Sequence, residues 1–202
     1  MAGRCGQGRR FDTQKALDAA VEVFWRHGYE GTSISVLTSA MGITASSLYA
    51  AFGGKRQLFD LVVERYMATK GRFARLAFEQ ETHALPLIRR LLFEAARQYT
   101  NQDGQGGCLL ASTATCVTDA NCDIEKQLEQ RRNAYVQGIE DVVRSDIDAG
   151  VLPDAAEPRM IASFVGAVLL GMAQRARDGA TEQDLTETAE MAFAQVQQAF
   201  KG

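Results

Sequence analysis

The chain has 202 residues, 46% of them hydrophobic and 23% charged, with a formal net charge of −3. That ordinary globular balance excludes a chain too polar to bury a core. Only three prolines occur, Pro86, Pro153 and Pro158, and alternating strand patterns are almost absent, so the expected class is all-α.

The charge is unevenly spread. Residues 1–60 hold seven Lys and Arg against five acids, a balance of +2, and the rest holds 15 against 20, or −5. A cationic head on an anionic body fits a phosphate-facing module joined to a body that faces elsewhere. Met1 to Arg10 carries no apolar export signal, and the longest apolar stretch, Phe164 to Ala173, is too short to span a bilayer. A cytoplasmic protein with no membrane partner is expected, its four cysteines (Cys5, Cys108, Cys116, Cys122) reduced by default.

In chain order, Ala16, Leu17, Ala20, Val21 and Phe24 recur at helical spacing, with Asp12 or Thr13 to cap the start and Gly28 to stop it. A short amphipathic piece, Ser33 to Met41, closes at Gly42. Thr44 then opens a second short helix that runs nearly to Phe52 and the Gly53-Gly54 break. Two helices of about two turns across a glycine-containing turn make a helix-turn-helix candidate. Beyond Lys55 one long helix is expected to about Phe78, followed by a stripe from Leu85 to Tyr99 and a polar loop from Asn101 to Gly107. Cys108 to Thr118 reads as a short helix, Ile124 to Ile147 as a long one that stops at Gly150, and Ala155 to Arg177 and Thr181 to Phe200 as the last two. About nine helices result. The expected division is a helix-turn-helix domain over residues 1–54 and a larger helical domain over 55–202.

Within residues 31–55, Ile34, Leu37, Met41, Ile43, Leu48 and Phe52 supply an inward face. Thr32, Ser33, Thr44, Ala45, Ser46, Tyr49 and Lys55 remain outward, clustered at helix N-termini whose free N–H groups and dipole favour a phosphate. The run from Asp12 to Leu61 also resembles the DNA-binding domain of the TetR family of bacterial transcription repressors. The likeness rests on Phe24-x-x-x-Gly28-Tyr29-x-x-Thr32, on Ala40-Met41-Gly42-Ile43, on Leu48-Tyr49-x-x-Phe52, and on Lys55 followed by Leu58.

The resemblance implies a three-helix DNA-binding domain with a recognition helix opening at Thr44. Tyr49 and Lys55 would then hold phosphates, with Thr32 or Ser33 doing likewise from the preceding helix. It further implies a homodimer on a pseudo-palindromic double-stranded operator, released by a small-molecule effector. Ala45 and Ala51 depart from the family, which often has Lys or Pro at the first and usually His at the second. The recognition helix is therefore poor in long side chains that read base edges bidentately, which leaves DNA shape as a source of specificity. An arm bearing Arg4, Arg9 and Arg10 is placed to reach the minor groove.

In the body, Ser163, Ala167 and Gly171 recur every four residues, and Phe193 and Val196 lie on the last helix. Rows of small residues admit close helix approach, and the resemblance pairs these helices with their mates across a two-fold axis. The expected pocket is mostly apolar and draws on Leu92, Tyr99, Cys108, Arg131, Tyr135 and Phe164. Arg131 falls on an apolar stripe, where its guanidinium needs an anionic ligand, a neighbouring carboxylate or an outward path to water.

Cys108, after two glycines at a helix N-terminus, is a candidate sensor of oxidants or electrophiles, or else a small buried hydrophobe. An enzyme with Cys108 as nucleophile is disfavoured, because no base lies near it in sequence and the helix-turn-helix would go unexplained. His27 and His83 belong to other helices, so no metal or other cofactor is expected.

Overall fold

The computed structural model describes residues 11–100, 105–113 and 118–201, and among these every regular element is helical. Arg4, Arg9, Arg10, Cys5 and Cys116 lie outside the described residues. The ten α-helices are α1 (Thr13–His27), α2 (Ile34–Met41), α3 (Ala45–Phe52), α4 (Lys55–Ala68), α5 (Arg72–Gln80), α6 (Ala84–Thr100), α7 (Leu109–Ser112), α8 (Cys122–Asp148), α9 (Pro158–Arg177) and α10 (Glu182–Ala199). A 3-10 turn, Asp119–Asn121, leads into α8.

The first three helices start where their caps dictate. Asp12 accepts the N–H groups of Gln14 and Lys15 at 3.0 and 3.2 Å. Ser33 accepts Val36 N–H at 3.2 Å, and Thr44 accepts Ser47 N–H at the same distance. Each satisfies a donor that has no partner inside its own helix. Between α2 and α3 the chain reverses at Gly42, whose φ of +66° is the left-handed conformation that glycine adopts without strain.

Two expectations need correcting. The single helix from Lys55 to Phe78 is two helices. The ladder stops at Thr69, and both Thr69 N–H and Gly71 N–H turn back to Tyr66 O, at 3.1 and 2.8 Å. A Cβ at Gly71 would lie 2.8 Å from Tyr66 Cε1, so only glycine fits under that ring. The helix expected from Cys108 to Thr118 is one turn, α7, that ends by Thr113. So short a helix has little dipole, which removes the helix N-terminus as support for a reactive Cys108.

Burial falls into two clusters. One gathers the inner faces of α1 to α4 with Leu109, Leu110, Ile124 and Leu128, and the other gathers α5, α6, α8, α9 and α10. Cys108 packs against both. In the first cluster Trp25, the only tryptophan in the chain, is fully buried and meets Tyr66 edge-on at 5.2 Å. In the second, α6 has its N-terminus held by another helix. Asp146 of α8 is 3% exposed, accepts Ala84 N–H at 2.7 Å, and lies 2.8 Å from His83 Nδ1.

Polar ties add to the apolar contact between α1, the turn after it and the body. Glu30 accepts hydrogen bonds from Thr118 N–H, Thr118 Oγ1 and Asn121 Nδ2, at 2.8, 2.8 and 2.9 Å. Tyr29 N–H donates to Thr113 O at 3.0 Å, and Arg177 donates to Trp25 O at 3.2 Å.

Candidate nucleic-acid interface and the adjoining cavity

α2 and α3 meet at 91°, within the range of a helix-turn-helix. Leu37, Met41, Leu48 and Phe52 bury the inner faces of this pair against α1 and α4. Ser33, Thr44, Ala45 and Ser46 are exposed at the helix starts, and Tyr49 is 54% exposed one turn further on. Ser35, Val36 and Ser39, also exposed on α2, extend the same surface. Helical periodicity alone would have found them. The surface carries hydroxyls and methyls but no Lys or Arg within α2 or α3.

Thr32 does not belong to it. Its side chain is 1% exposed and donates to Gly28 O at 2.6 Å, closing the α1–α2 turn. A hydroxyl buried in that bond has no path to a phosphate. Thr44 is exposed but already engaged, because its oxygen lies 2.9 Å from both Ser46 Oγ and Ser47 Oγ. Lys55, the first residue of α4, sits half-buried with its ammonium 4.2 Å above the Tyr29 ring. Burial pulls its pKa down and the nearby Glu30 carboxylate opposes that. Burial in turn pushes the Tyr29 phenol up. Glu30 is held at about 2 by Thr118 N–H first, then by the Asn121 and Thr118 side chains.

Behind this module, where the two clusters meet, lies a cavity of about 180 Å³. Of the residues expected to line it, the structure brings together Tyr99, Cys108 and Tyr135. Three others lie elsewhere. Leu92 is fully buried in the second cluster, one residue off register, and its neighbour Leu91 takes the wall. Arg131 ion-pairs with Glu64 and donates to Met67 Sδ, so its partner is a neighbouring carboxylate. Phe164 points away from the cavity and is 40% exposed.

Tyr66, Leu110, Ala111 and Arg132 are lining residues that sequence periodicity missed. Tyr66 counted only as part of the α4 stripe, and nothing in one sequence says which core residues border a void. Burial, with the Cys108 thiol alongside, pushes the Tyr66 and Tyr99 phenols well above the usual range. The Tyr135 phenol is raised by burial too.

On the outer face of α9, Met160, Ser163, Phe164, Ala167, Leu170 and Gly171 are all exposed and fall along one side of the helix. Among the described residues, no atom outside its own stretch of helix comes within 4 Å of a Cβ built at Gly171. Met191 adds an exposed apolar group on α10. Phe193 is half-buried against the second cluster, whereas Val196 is 2% exposed inside it. Val196 therefore faces the protomer's own core, because α10 turns that side toward α6.

Comparison with known proteins places this arrangement. Residues 16–62 match the family described as bacterial regulatory proteins, tetR family, and residues 85–193 match the tetracyclin repressor-like C-terminal domain. The HTH-type transcriptional repressor ComR of Escherichia coli K12 is 30% identical over 188 residues, covering 91% of this chain and 88% of that protein. BdcR, another HTH-type transcriptional repressor of the same strain, is 28% identical over 93% of this chain and 90% of its own length. Among solved structures, a cysteine mutant of the TetR family regulator CifR complexed with 26bp double-strand operator DNA superposes with a TM-score of 0.86 at 31% identity. The match covers 93% of this chain and 98% of that one.

Proposed function

This chain belongs to the TetR family of bacterial regulatory proteins, and from that premise we propose that it is a dimeric transcriptional repressor that releases its operator when a small, mostly apolar molecule enters the cavity behind its helix-turn-helix. Residues 1–54 grip double-stranded DNA and 55–202 dimerise and sense. A regulator that grips a bacterial chromosome works in the cytoplasm. Among the described residues no single helix is long and apolar enough to cross a membrane. The family is one of regulators, and no catalytic role is assigned to any residue.

The observation that carries this reading is the exposed, uncharged surface of α2 and α3, set at 91° on a buried base. Ser33, Thr44, Ala45, Ser46 and Tyr49 are its contacts, and Lys55 reaches a phosphate from the start of α4. Short hydroxyls give little bidentate base readout, so shape readout carries much of the specificity. The paired surface is the outer face of α9, with Ser163, Ala167 and Gly171 at its centre and Phe193 at its edge. Two-fold pairing then sets two recognition helices at the fixed half-site spacing that a pseudo-palindrome needs.

The test is selection of bound duplexes from a randomised pool, followed by affinity measurement across salt concentrations. Enrichment of a two-fold symmetric site is expected. Tyr49→Phe and Lys55→Ala should weaken binding similarly on all sequences, and Lys55→Ala should shallow the salt dependence by about one unit of slope per protomer. A pool with no enriched sequence would overturn the assignment.

One observation supports a second route to release. Cys108 lies in the cavity wall, where a sensor of electrophiles or oxidants would place its thiol. Treatment with N-ethylmaleimide, which forms a carbon–sulfur bond and takes up the thiol proton, tests it. Loss of operator binding in the wild type but not in Cys108→Ser supports this route, and equal loss in both removes it.

A further inference from the structure

Resting on the reading that the cavity holds the effector, we propose that the effector is a small monocarboxylate, with an apolar body of about one ring and its carboxylate held by the guanidinium of Arg132. The first observation is the charge of the wall. Arg132, on α8, lines the cavity at partial burial, and no Asp or Glu stands among the described lining residues. A smaller void of about 120 Å³ adjoins it, sharing Cys108, Ala111, Leu170 and Ala173. That void adds Arg177 and again no acid among the described residues. The space is therefore lined by positive charge alone, in a chain whose formal net charge is −3.

The second observation sets Arg132 apart from its neighbours. Arg131, next to it in sequence, pairs with Glu64, and Arg75 of α5 pairs with Glu79. Arg132 has no carboxylate partner among the described residues and donates one N–H to Leu110 O at 2.7 Å. A guanidinium carries five N–H donors in a rigid fork, so that bond restrains the group and leaves donors for an oxyanion. A cation partly withdrawn from water beside an apolar wall is costly, and a bidentate carboxylate offsets that cost. An ammonium ligand would meet Arg132 with no acid to receive it, so cations are disfavoured.

Size and lining fix the rest of the molecule. A cavity of about 180 Å³ is close to the roughly 150 Å³ at which an apolar protein cavity takes up benzene. Phe73, Phe78, Leu91 and Ile139 supply the apolar surface against which such a body gains most of its contact. The carboxylate then fixes orientation, and the choice between acids and their neutral analogues falls to Arg132.

Calorimetric titration of the full-length protein at neutral pH with benzoate, benzamide and benzylamine tests this. The three share a ring and differ in carrying a negative charge, no charge and a positive charge. Benzoate should bind roughly ten-fold tighter than benzamide, the ratio expected of a hydrogen bond to a charged group, and benzylamine most weakly. Arg132→Gln should bring benzoate down to the benzamide level and leave benzamide unchanged. Arg132→Lys, which keeps the charge and loses the fork, should fall between. Ala111→Phe, which fills the cavity, should abolish binding of both, with circular dichroism confirming that each variant is folded.

An Arg132 that serves only to hold Leu110 O would weaken benzoate and benzamide alike when replaced, and that result overturns the proposal. So would benzamide binding as tightly as benzoate, a preference that survives Arg132→Gln, binding that survives Ala111→Phe, or no binding at millimolar probe. Operator affinity is measured in the same samples. Benzoate binding that depends on Arg132 but leaves operator affinity unchanged would sink the effector reading and leave the carboxylate site standing. Release of the operator by neutral compounds alone, untouched by Arg132→Gln, would do the reverse.

Discussion

Glu30 shows how one side chain joins the two halves of the molecule. Its carboxylate collects three donors from Thr118 and Asn121, which hold it at about 2 against an ordinary value of 4.5. The folded pKa is depressed, so the stabilisation is fully present above pH 4.5 and is lost as pH falls toward 2. Glu30→Gln should therefore lower the melting temperature at neutral pH, with the gap from wild type narrowing steadily as pH falls from 4.5 toward 2 in thermal melts. A gap that stays constant across that window would place the effect elsewhere. Asp146 acts on the body alone. Removing its carboxylate leaves Ala84 N–H buried without an acceptor, so Asp146→Ala should lose about 2 kcal/mol in urea unfolding while Asp146→Asn loses less. The sequence offered no hint of either bond, since each joins residues more than 60 positions apart. Local caps such as Asp12, Ser33 and Thr44 were legible because donor and acceptor sit within three residues of one another.

At the level of elements, the long periodic helices could be read and the interruptions could not. α1, α6, α9 and α10 carry an apolar stripe from end to end, and their sequence-derived limits fall within three residues of the observed ones. The stripe through Tyr66, Phe73 and Phe78 passes over Gly71 without a break in period, yet the ladder stops there. Glycine inside a helix is tolerated in sequence terms, and the Tyr66 ring that forbids a Cβ at that position is a fact of packing alone. The same limit explains Thr32, which a helical wheel leaves outward and a turn carries inward. Gly71→Ala should force the Tyr66 ring aside at a loss of about 1–3 kcal/mol, read by chemical unfolding. Because Tyr66 also lines the cavity, probe binding should weaken in the same variant. Unchanged stability and binding would mean that the α4–α5 junction relaxes freely.

For the whole molecule, the break between α4 and α5 changes how a bound molecule would act at a distance. A continuous rod would transmit a tilt, whereas α4 here ends at Ala68 with its last turn against the cavity, through Tyr66 and Met67. On the proposed reading the lever is shorter and its far end is the cavity wall itself. The dimer is open to a clean test, because Gly171 is exposed and a Cβ added there meets no other helix among the described residues. Gly171→Phe should leave the melting temperature of the protomer nearly unchanged and weaken self-association in sedimentation. A stable dimer in that variant would move the interface off this stretch of α9. Trp25 lends itself to a last use. It is the only indole in each protomer, shut away from water and edge-on to a tyrosine of the cavity wall, with Lys70 held 5.1 Å from its ring. The protein thus carries its own optical gauge. Its emission should lie to the blue of free tryptophan and shift in intensity whenever an occupant displaces Tyr66, so that filling of the cavity can be followed in real time without a dye.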